Sequence, residues 1–533
     1  MLFPVTNFMN QVFKLRNLTV KQRICFAQNA GCNRFVWNEL ISINKKEYEA
    51  YQEYKKKVEE VQDDPDKVAK IPKVNCPSLR PNDATSKLPA IKKEYPFLED
   101  AIAQSLQQTA RRWARAMQEA VSGKKGLPKF KKKFRSDSFC IPQYFEFDEA
   151  NDRVKLPKIG WVRYYNSAKL KGTPKQITVM RQADGWYIVV SCKVTRYIDI
   201  PLDLPNVAQQ AVASDIDPAS ITHISADIGA VLAQKVKAAL EKAPGSDNGS
   251  TGSEGQHDTP SLDSIDIAAL LDAARDEVLV RYALSDELKP KLENMVLGLD
   301  VGVAIAVALS NGASFEEIKT ATDDYKQRQA YLDSLIAKRQ RQLSRLTLHS
   351  NNYEELSQKI AKLHLKKRRV RDDFLHKLSS SLVKNQDHEI FAGEDLNLKG
   401  MTKSAKGTVD NPGKNVKQKS GLNRSLLNMG FGKFVWMLTY KLELTGRKLI
   451  LVDPRNTSRT CAKCGHVSKQ NRLTQAKFKC VNCGHETNAD LNAAVNIKNR
   501  GLASLINEAG KREGQGMPGW PGVSSTKKAK KPK

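Results

Sequence analysis

Long apolar runs are what this chain most clearly lacks. No stretch of 18 or more apolar residues occurs in its 533. A membrane-spanning helix needs about 20, so none is expected. The first residues, MLFPVTNFMNQVFKLRN, place the basic element after the apolar one and offer no small-residue cleavage site. No secretory signal is expected there. Acidic residues are scarce relative to basic ones, 58 against 87, for a formal net charge of +29. An excess of that size favours a polyanionic partner, and nucleic acid is the commonest; the bland alternative is a solvated basic surface. Cysteine is also sparse. Of nine, Cys25, Cys32, Cys76, Cys140 and Cys192 follow no pairing pattern. An odd count without a secretion signal fits a reducing, intracellular compartment.

What is present is unevenly distributed. The length suggests three or four domains. Residues 1–16 suit a short strand. Residues 21–120 are mostly helical in pattern, interrupted by a Pro-containing loop between Asp64 and Pro96 where helices would break. A basic hinge, GKKGLPKFKKK, leads to strand-like pieces between 138 and 194, suggesting a small sheet or barrel. From Asp199 to Glu293 the balance reverses, with 17 Asp+Glu against 7 Lys+Arg, so the rest of the chain carries +39. This acidic stretch contains the linker APGSDNGSTGSEGQHDTPS, with short helical candidates on either side. It reads as an insertion between two halves of a machine. An apolar strand–turn–strand, VLGLDVGVAIAVALSNG, follows. Then come two basic helices, with apolar stripes at Tyr331, Leu332, Leu335, Ile336, Leu343 and Leu346 and at Ile360, Leu363, Val370, Phe374 and Leu378. A strand (EIFAGEDLN), a Gly/Lys/Asn-rich loop from Thr402 to Gln418, a helix and a strand (KLILVDP) lead to the remaining cysteines.

Cys461, Cys464, Cys480 and Cys483 follow C-x2-C-x15-C-x2-C. Two such knuckles can turn four thiolates onto one zinc ion, and a filled tetrahedron makes the ion structural. His466 and His485 are then ordinary loop residues. Three acids sit at ends of apolar segments: Asp300 in GLDVG, Glu394 in GEDLN, and Asp490 at the head of DLNAAVNI with Asn488 as its cap. Each alone has a bland reading, since strand-end acids are often solvated and a first-turn acid favours the helix dipole. Together they suit oxygen ligands from distant segments converging on divalent cations, two hard ions about 3.5–4 Å apart (magnesium, in the reading the resemblance below implies), which would stabilise a phosphodiester displacement.

Two basic patches are candidate nucleic-acid contacts. Lys129, Lys131, Lys132, Lys133 and Arg135 interleave with Phe130 and Phe134, joining salt-sensitive phosphate contacts to stacking rings. Lys366, Lys367, Arg368, Arg369 and Arg371 lie on a helix whose other side is apolar. A solvated basic loop is the alternative for the first. Ser105, Gln107 and Gln108 are candidates for reading base edges, since Gln can pair with adenine; plain helix surface is the alternative.

GLDVG, GEDLNLKGM and TSRTCAKCG…CVNCGHETNADLNAAVNI resemble the three RuvC motifs and inserted zinc ribbon of the TnpB/OrfB insertion-sequence nucleases. These are regarded as ancestors of the compact type V CRISPR effectors. GCNRFVWNEL, SLQQTARRW and GLPKFKKKFRSDSF resemble the family's helical recognition lobe and wedge-like barrel. The resemblance covers about 20–197 and 296–500 and is most specific over the last third. It implies an α+β multidomain fold. An RNase H-like (RuvC) nuclease domain (296–455 and 488–508) would carry an inserted zinc ribbon (456–487). A helical recognition domain (17–135), a small wedge-like β-barrel (1–16 and 136–198), the acidic, partly disordered insertion (199–295) and a disordered basic tail (509–533) would complete it. It further implies a guide RNA, target DNA cut beside a short motif, and Asp300, Glu394 and Asp490 as first, second and third catalytic acids. The expected setting is a prokaryotic cytoplasm, at the nucleoid when bound to DNA. The ribbon then ends shortly before Asp490 because it returns the chain where the third acid must stand. A compact CRISPR effector and a guide-directed repressor without nuclease activity are the rival readings. A strand transferase lacks its tyrosine-plus-HUH pattern here. The acidic insertion departs from the family; it is either a tolerated surface insertion or a mimic of nucleic acid covering the basic channel.

Overall fold

The computed structural model describes residues 2–60, 72, 74–133, 137–199, 221–222, 226–241, 266–285, 287–408, 411–472, 474 and 476–513. Arg135, the linker at 243–261 and residues 514–533 lie outside them. The chain divides into two compact units, Thr6–Thr195 and Met1–Val5 with Arg196–Lys533.

In the first unit β1 (Leu2–Arg16) leads into α1 (Val20–Glu60), a 41-residue helix. Its start is a capping box: Gln22 N–H donates to Thr19 Oγ1, and Thr19 N–H to Gln22 Oε1. α2 (Pro81–Ser86), α3 (Leu88–Glu94) and α4 (Ala103–Val121) pack on it around Val36, Leu40, Leu98, Leu106 and Trp113. The segment between Asp64 and Pro96 is therefore not merely a loop. Pro81 and Pro89 occupy first-turn positions, where proline's missing N–H has no helical partner to lose. The strands β2 (Ser138–Ile141), β3 (Glu146–Asp148), β4 (Arg153–Leu156), β5 (Gly160–Tyr164), β6 (Thr173–Gln182) and β7 (Gly185–Asp199) join β1 in the order β2-β6-β7-β1-β5-β4-β3. The β2–β6, β6–β7, β1–β5, β5–β4 and β4–β3 pairings run antiparallel, with Phe13, Phe139, Val154, Val162, Ile177 and Ile188 facing one core. A two-residue strand, β8 (Ile221–Thr222), pairs with the end of β7.

The second unit opens with α5 (Ala226–Glu241), α6 (Ile267–Leu284) and α7 (Lys289–Met295). β9 (Val296–Asp300), β10 (Ala308–Leu309), β11 (Ile390–Glu394) and β12 (Lys448–Val452) form a sheet ordered β10-β9-β11-β12. β9, β11 and β12 run parallel, and β10 is antiparallel to β9. Four of the five residues of β9 and of β11 are buried, as parallel strands covered on both faces require. α8 (Phe315–Leu343) and α9 (Asn351–Asn385) form a pair, followed by α10 (Leu398–Met401), α11 (Val416–Met429) and α12 (Phe431–Glu443). Of the expected apolar stripe, Tyr331 is exposed, while Leu332 and Ile336 are buried. One sheet face packs on α9 and α12 through Leu297, Phe391, Leu438 and Leu442. The hairpin β13 (Lys477–Lys479)–β14 (Glu486–Asn488) precedes α13 (Ala489–Glu513), which covers the other face.

The helices flanking the acidic linker differ from a surface insertion. Ile228, Leu232, Leu271, Ala274 and Val278 of α5 and α6 share a core with Val296, Ile390, Ala392, Val452 and Ile497. Arg275 is buried, with its guanidinium donating to Asp272 and to the Gly446 carbonyl. Asp276 pairs with Lys448 at 3.5 Å. Both anchors lie where β12 begins. Among the described residues no helix is long and apolar enough to cross a membrane.

Candidate nuclease site and cysteine cluster

Strand register sets two of the three acids side by side. Ala392 pairs with Gly298 in the parallel β9–β11 ladder. Glu394 and Asp300 stand two residues further along each strand, pointing to the same face of strands about 4.8 Å apart. α13 brings the third acid over them. Its close approach to β9 depends on Gly298, where a Cβ would overlap the Ala494 carbonyl oxygen and crowd Lys498 N. The expected cap is present: Asn488 Oδ1 accepts from Asp490 N–H at 2.9 Å.

Three carboxylates drawn together and away from water resist ionisation. Asp300 is pushed up to about 8, first by burial and then by Glu394 and Asp490. Burial also raises Glu394, against the Thr457 hydroxyl that donates to it at 2.5 Å, and raises Asp490, against Arg472. Arg472 Nη2 stands 3.5 Å from Asp490 Oδ1. Thr457 and Arg472 were missed in the sequence, because nothing in RNTSRTC or NRL marks either as facing an acid.

The cysteine motif folds as its spacing requires. The four sulfurs lie within 4.8 Å of one another, with Cys461–Cys483 at 3.7 Å and Cys464–Cys480 at 3.6 Å. A tetrahedron with Zn–S bonds of 2.3 Å has edges of about 3.8 Å; the donor set fits that ion. The backbone N–H of His466 and the neighbouring Cys483 pull the Cys464 thiol down to about 6.

The cluster is tied to the acid site by three buried asparagines. Asn471 donates to the Arg459 and His466 carbonyls and accepts from Val481 N–H, joining both knuckles one residue before Arg472. Asn492, one turn along α13, accepts from Ala462 N–H and donates to Thr460 O. Asn496 donates to the Thr457 and Thr460 carbonyls. The i, i+4 spacing sets both on one helix face.

The basic candidates fare unevenly. Lys129, Lys132 and Lys133 are exposed. Lys131 is half-buried, its ammonium 3.7 Å from the Trp37 ring centroid and pushed down to about 8 by burial and Arg112. Its backbone exchanges two hydrogen bonds with Asn38, so it packs the hinge onto α1. Lys366, Arg368 and Arg369 are exposed, but Lys367 binds Asp333 at 2.5 Å between α8 and α9, and Arg371 is half-buried. Ser105 requires correction. It is fully buried, accepting from Asn33 Nδ2 at 2.5 Å, and cannot present its hydroxyl to a base edge. Gln107 is exposed and Gln108 half-buried on the same helix.

Comparison with known proteins places the chain in a family. Residues 279–405 match a family model described as "Probable transposase", 431–497 one described as "Cas12f1-like, TNB domain", and 9–53 one described as "Helix-turn-helix domain". That last segment is here a strand and one long helix. The chain is 31% identical over 412 residues to "Putative RNA-guided DNA endonuclease InsQ" of Escherichia coli (strain K12), covering 77% of this chain and 78% of that protein. It is 31% identical over 209 residues to "Putative RNA-guided DNA endonuclease" of Streptomyces pristinaespiralis, covering 39% and 46%. Over 87 residues it is 41% identical to "CRISPR-associated endodeoxyribonuclease Cas12f1" of Sulfoacidibacillus thermotolerans, covering 16% and 21%. The chain belongs to the TnpB/OrfB insertion-sequence family of the IS605 type.

Proposed function

We propose that this protein is an RNA-guided DNA endonuclease of the TnpB type, binding a guide RNA and cutting target DNA in an RNase H-like (RuvC) domain. The observation that carries the reading is the convergence of Asp300, Glu394 and Asp490 from two parallel strands and a helix, with Asp300 raised by burial and then by the other two. A cluster that resists charging is a site in want of cations.

Asp300, Glu394 and Asp490 would hold magnesium. Such ions supply Lewis-acid stabilisation to the attacking and leaving oxygens of a phosphodiester. The chain's own groups do the positioning. In-register strands fix Asp300 and Glu394 relative to each other, Thr457 holds the Glu394 carboxylate through its hydroxyl, and Arg472 offsets charge at Asp490. Cys461, Cys464, Cys480 and Cys483 would hold one zinc with no open position, keeping the ribbon that delivers Arg472 and Thr457 rigid. We read the antiparallel sheet of the first unit as the wedge-like barrel and α1–α4 as the recognition lobe. In guided systems pairing reads sequence, while protein reads backbone, duplex shape and a short adjacent motif. Exposed Lys129, Lys132, Lys133, Lys366, Arg368 and Arg369 suit that backbone role, and Gln107 remains a candidate for the motif.

The test is to purify the protein with the RNA it retains, sequence that RNA, and offer Mg²⁺ and a matching duplex library. One structured RNA, with cutting beside one motif that Asp300→Ala abolishes, supports the reading. Heterogeneous RNA without guided cutting sinks it.

A further inference from the structure

The segment that follows Glu394 is strongly basic. Between Lys399 and Arg424 it carries seven basic residues, Lys399, Lys403, Lys406, Lys414, Lys417, Lys419 and Arg424, against Asp410 alone. Elsewhere in the second unit, surface lysines commonly find a carboxylate: Lys235 with Glu277, Lys359 with Glu355, Lys377 with Asp373, Lys433 with Asp372. None of these seven is paired with one among the described residues. All are exposed except Lys419, which is half-buried. Uncompensated like charge on one short segment is unfavourable by itself and is relieved by an anion.

The described residues of the segment, 399–408 and 411–424, are nevertheless held by specific hydrogen bonds. Gly413 N–H donates to Lys406 O at 2.9 Å and Thr408 N–H to Asn411 O at 3.0 Å, closing a small hairpin. A Cβ at Gly413 would overlap the Ala405 carbonyl, and Gly407 has φ of +70°, so both strands of the hairpin require glycine. α11 is strapped to the end of α10, just ahead of the hairpin: Lys419 Nζ donates to Met401 O at 2.6 Å and Asn423 Nδ2 to Thr402 O at 2.9 Å. A merely solvated basic loop would need none of this bracing. The position also matters. Lys399 is five residues beyond Glu394, hence within about 18 Å of it along the chain.

We propose that this braced basic hairpin and the start of α11 form a platform for the phosphate backbone of the DNA strand presented to the acids. The proposal rests on the guided-nuclease reading and adds the surface that holds the substrate strand. Lys403, Lys406, Lys414 and Lys417 are the phosphate contacts. They carry no base-edge readout, so the platform is indifferent to sequence.

The test uses the full-length, guide-loaded protein with Glu394→Gln to prevent cutting, and fluorescent matched DNA, single-stranded and duplex. Affinity is measured from about 50 to 200 mM salt. Changing Lys403, Lys406, Lys414 and Lys417 to Gln is expected to lower the slope of log affinity against log salt by about 3 for a single strand and about 4 for a duplex. The amount of co-purified RNA should not change. An unchanged slope overturns the proposal. So does reduced RNA retention with an unchanged DNA slope, which would assign the segment to the guide. Gly413→Ala removes no charge; it should open the hairpin and weaken DNA binding severalfold, and wild-type affinity would show that no built platform exists. Guided cutting by the otherwise wild-type protein, assayed alongside, separates failure of the platform from failure of the nuclease reading.

Discussion

Asp300 keeps its proton to about pH 8 because burial and two neighbouring carboxylates oppose its charge. The unfolded chain releases that proton near pH 4. Between these values the folded state binds more protons than the unfolded one, so stability falls as pH rises through the window and levels off above it. In magnesium-free protein, Asp300→Asn should therefore raise the melting temperature above pH 8, by on the order of a few kcal/mol in stability, with the gain vanishing towards pH 4. A gain independent of pH would show that Asp300 is not the group at issue. Arg472 acts in the opposite sense, lowering both Asp300 and Asp490. Arg472→Gln should move the acidic limb of the cleavage profile to higher pH. Thr457→Val leaves Glu394 without its hydroxyl donor, and apparent Mg²⁺ affinity or activity should fall by about 10- to 100-fold. Unchanged magnesium titrations would remove Thr457 from the site. Asp300 and Glu394 stood out in the sequence because charge at the end of an apolar strand is costly without a purpose, and Asp490 only through the motif it shares with the family. Thr457 and Arg472 were not, since their importance comes from folding a ribbon back onto a helix.

At the scale of elements, cysteine spacing was the most informative signal, because four sulfurs around one ion leave little geometric freedom. Proline was the most misleading. Pro81, Pro89 and Pro96 stand in first turns, starting helices instead of ending them. The apolar patterns of α5 and α6 marked helices but not what those helices cover, and composition suggested a surface appendage. Their side chains complete the core beneath β9, β11 and β12. Deleting residues 205–290 should therefore destabilise or aggregate the protein; a well-folded deletion protein with wild-type melting would contradict the shared core. Arg275→Ala should cost about 1–3 kcal/mol in chemical denaturation, since it strips the Gly446 carbonyl of its buried donor. Chelating zinc, or Cys480→Ser, should lower both melting temperature and cutting at saturating Mg²⁺, because the ribbon base holds Arg472 and Thr457. Cutting that survives verified zinc loss would uncouple ribbon and site.

For the whole molecule, the charge of +29 was readable at once, but its placement was not. Lys131 and Lys367 are engaged in packing and ion pairing, whereas the cations between Lys399 and Arg424 meet no carboxylate among the described residues. The anchors of the acidic stretch, Arg275 and Asp276, meet the start of β12, the end of the sheet away from the acids. That position gives the two flanking helices a part in the core. The most direct measurement is single-turnover cleavage of matched DNA by guide-loaded wild type and Glu394→Gln, with binding followed in the same samples. We expect equal binding and no cutting by the variant. Cutting at the wild-type rate would remove Glu394 from the site and contradict the assignment of the three acids.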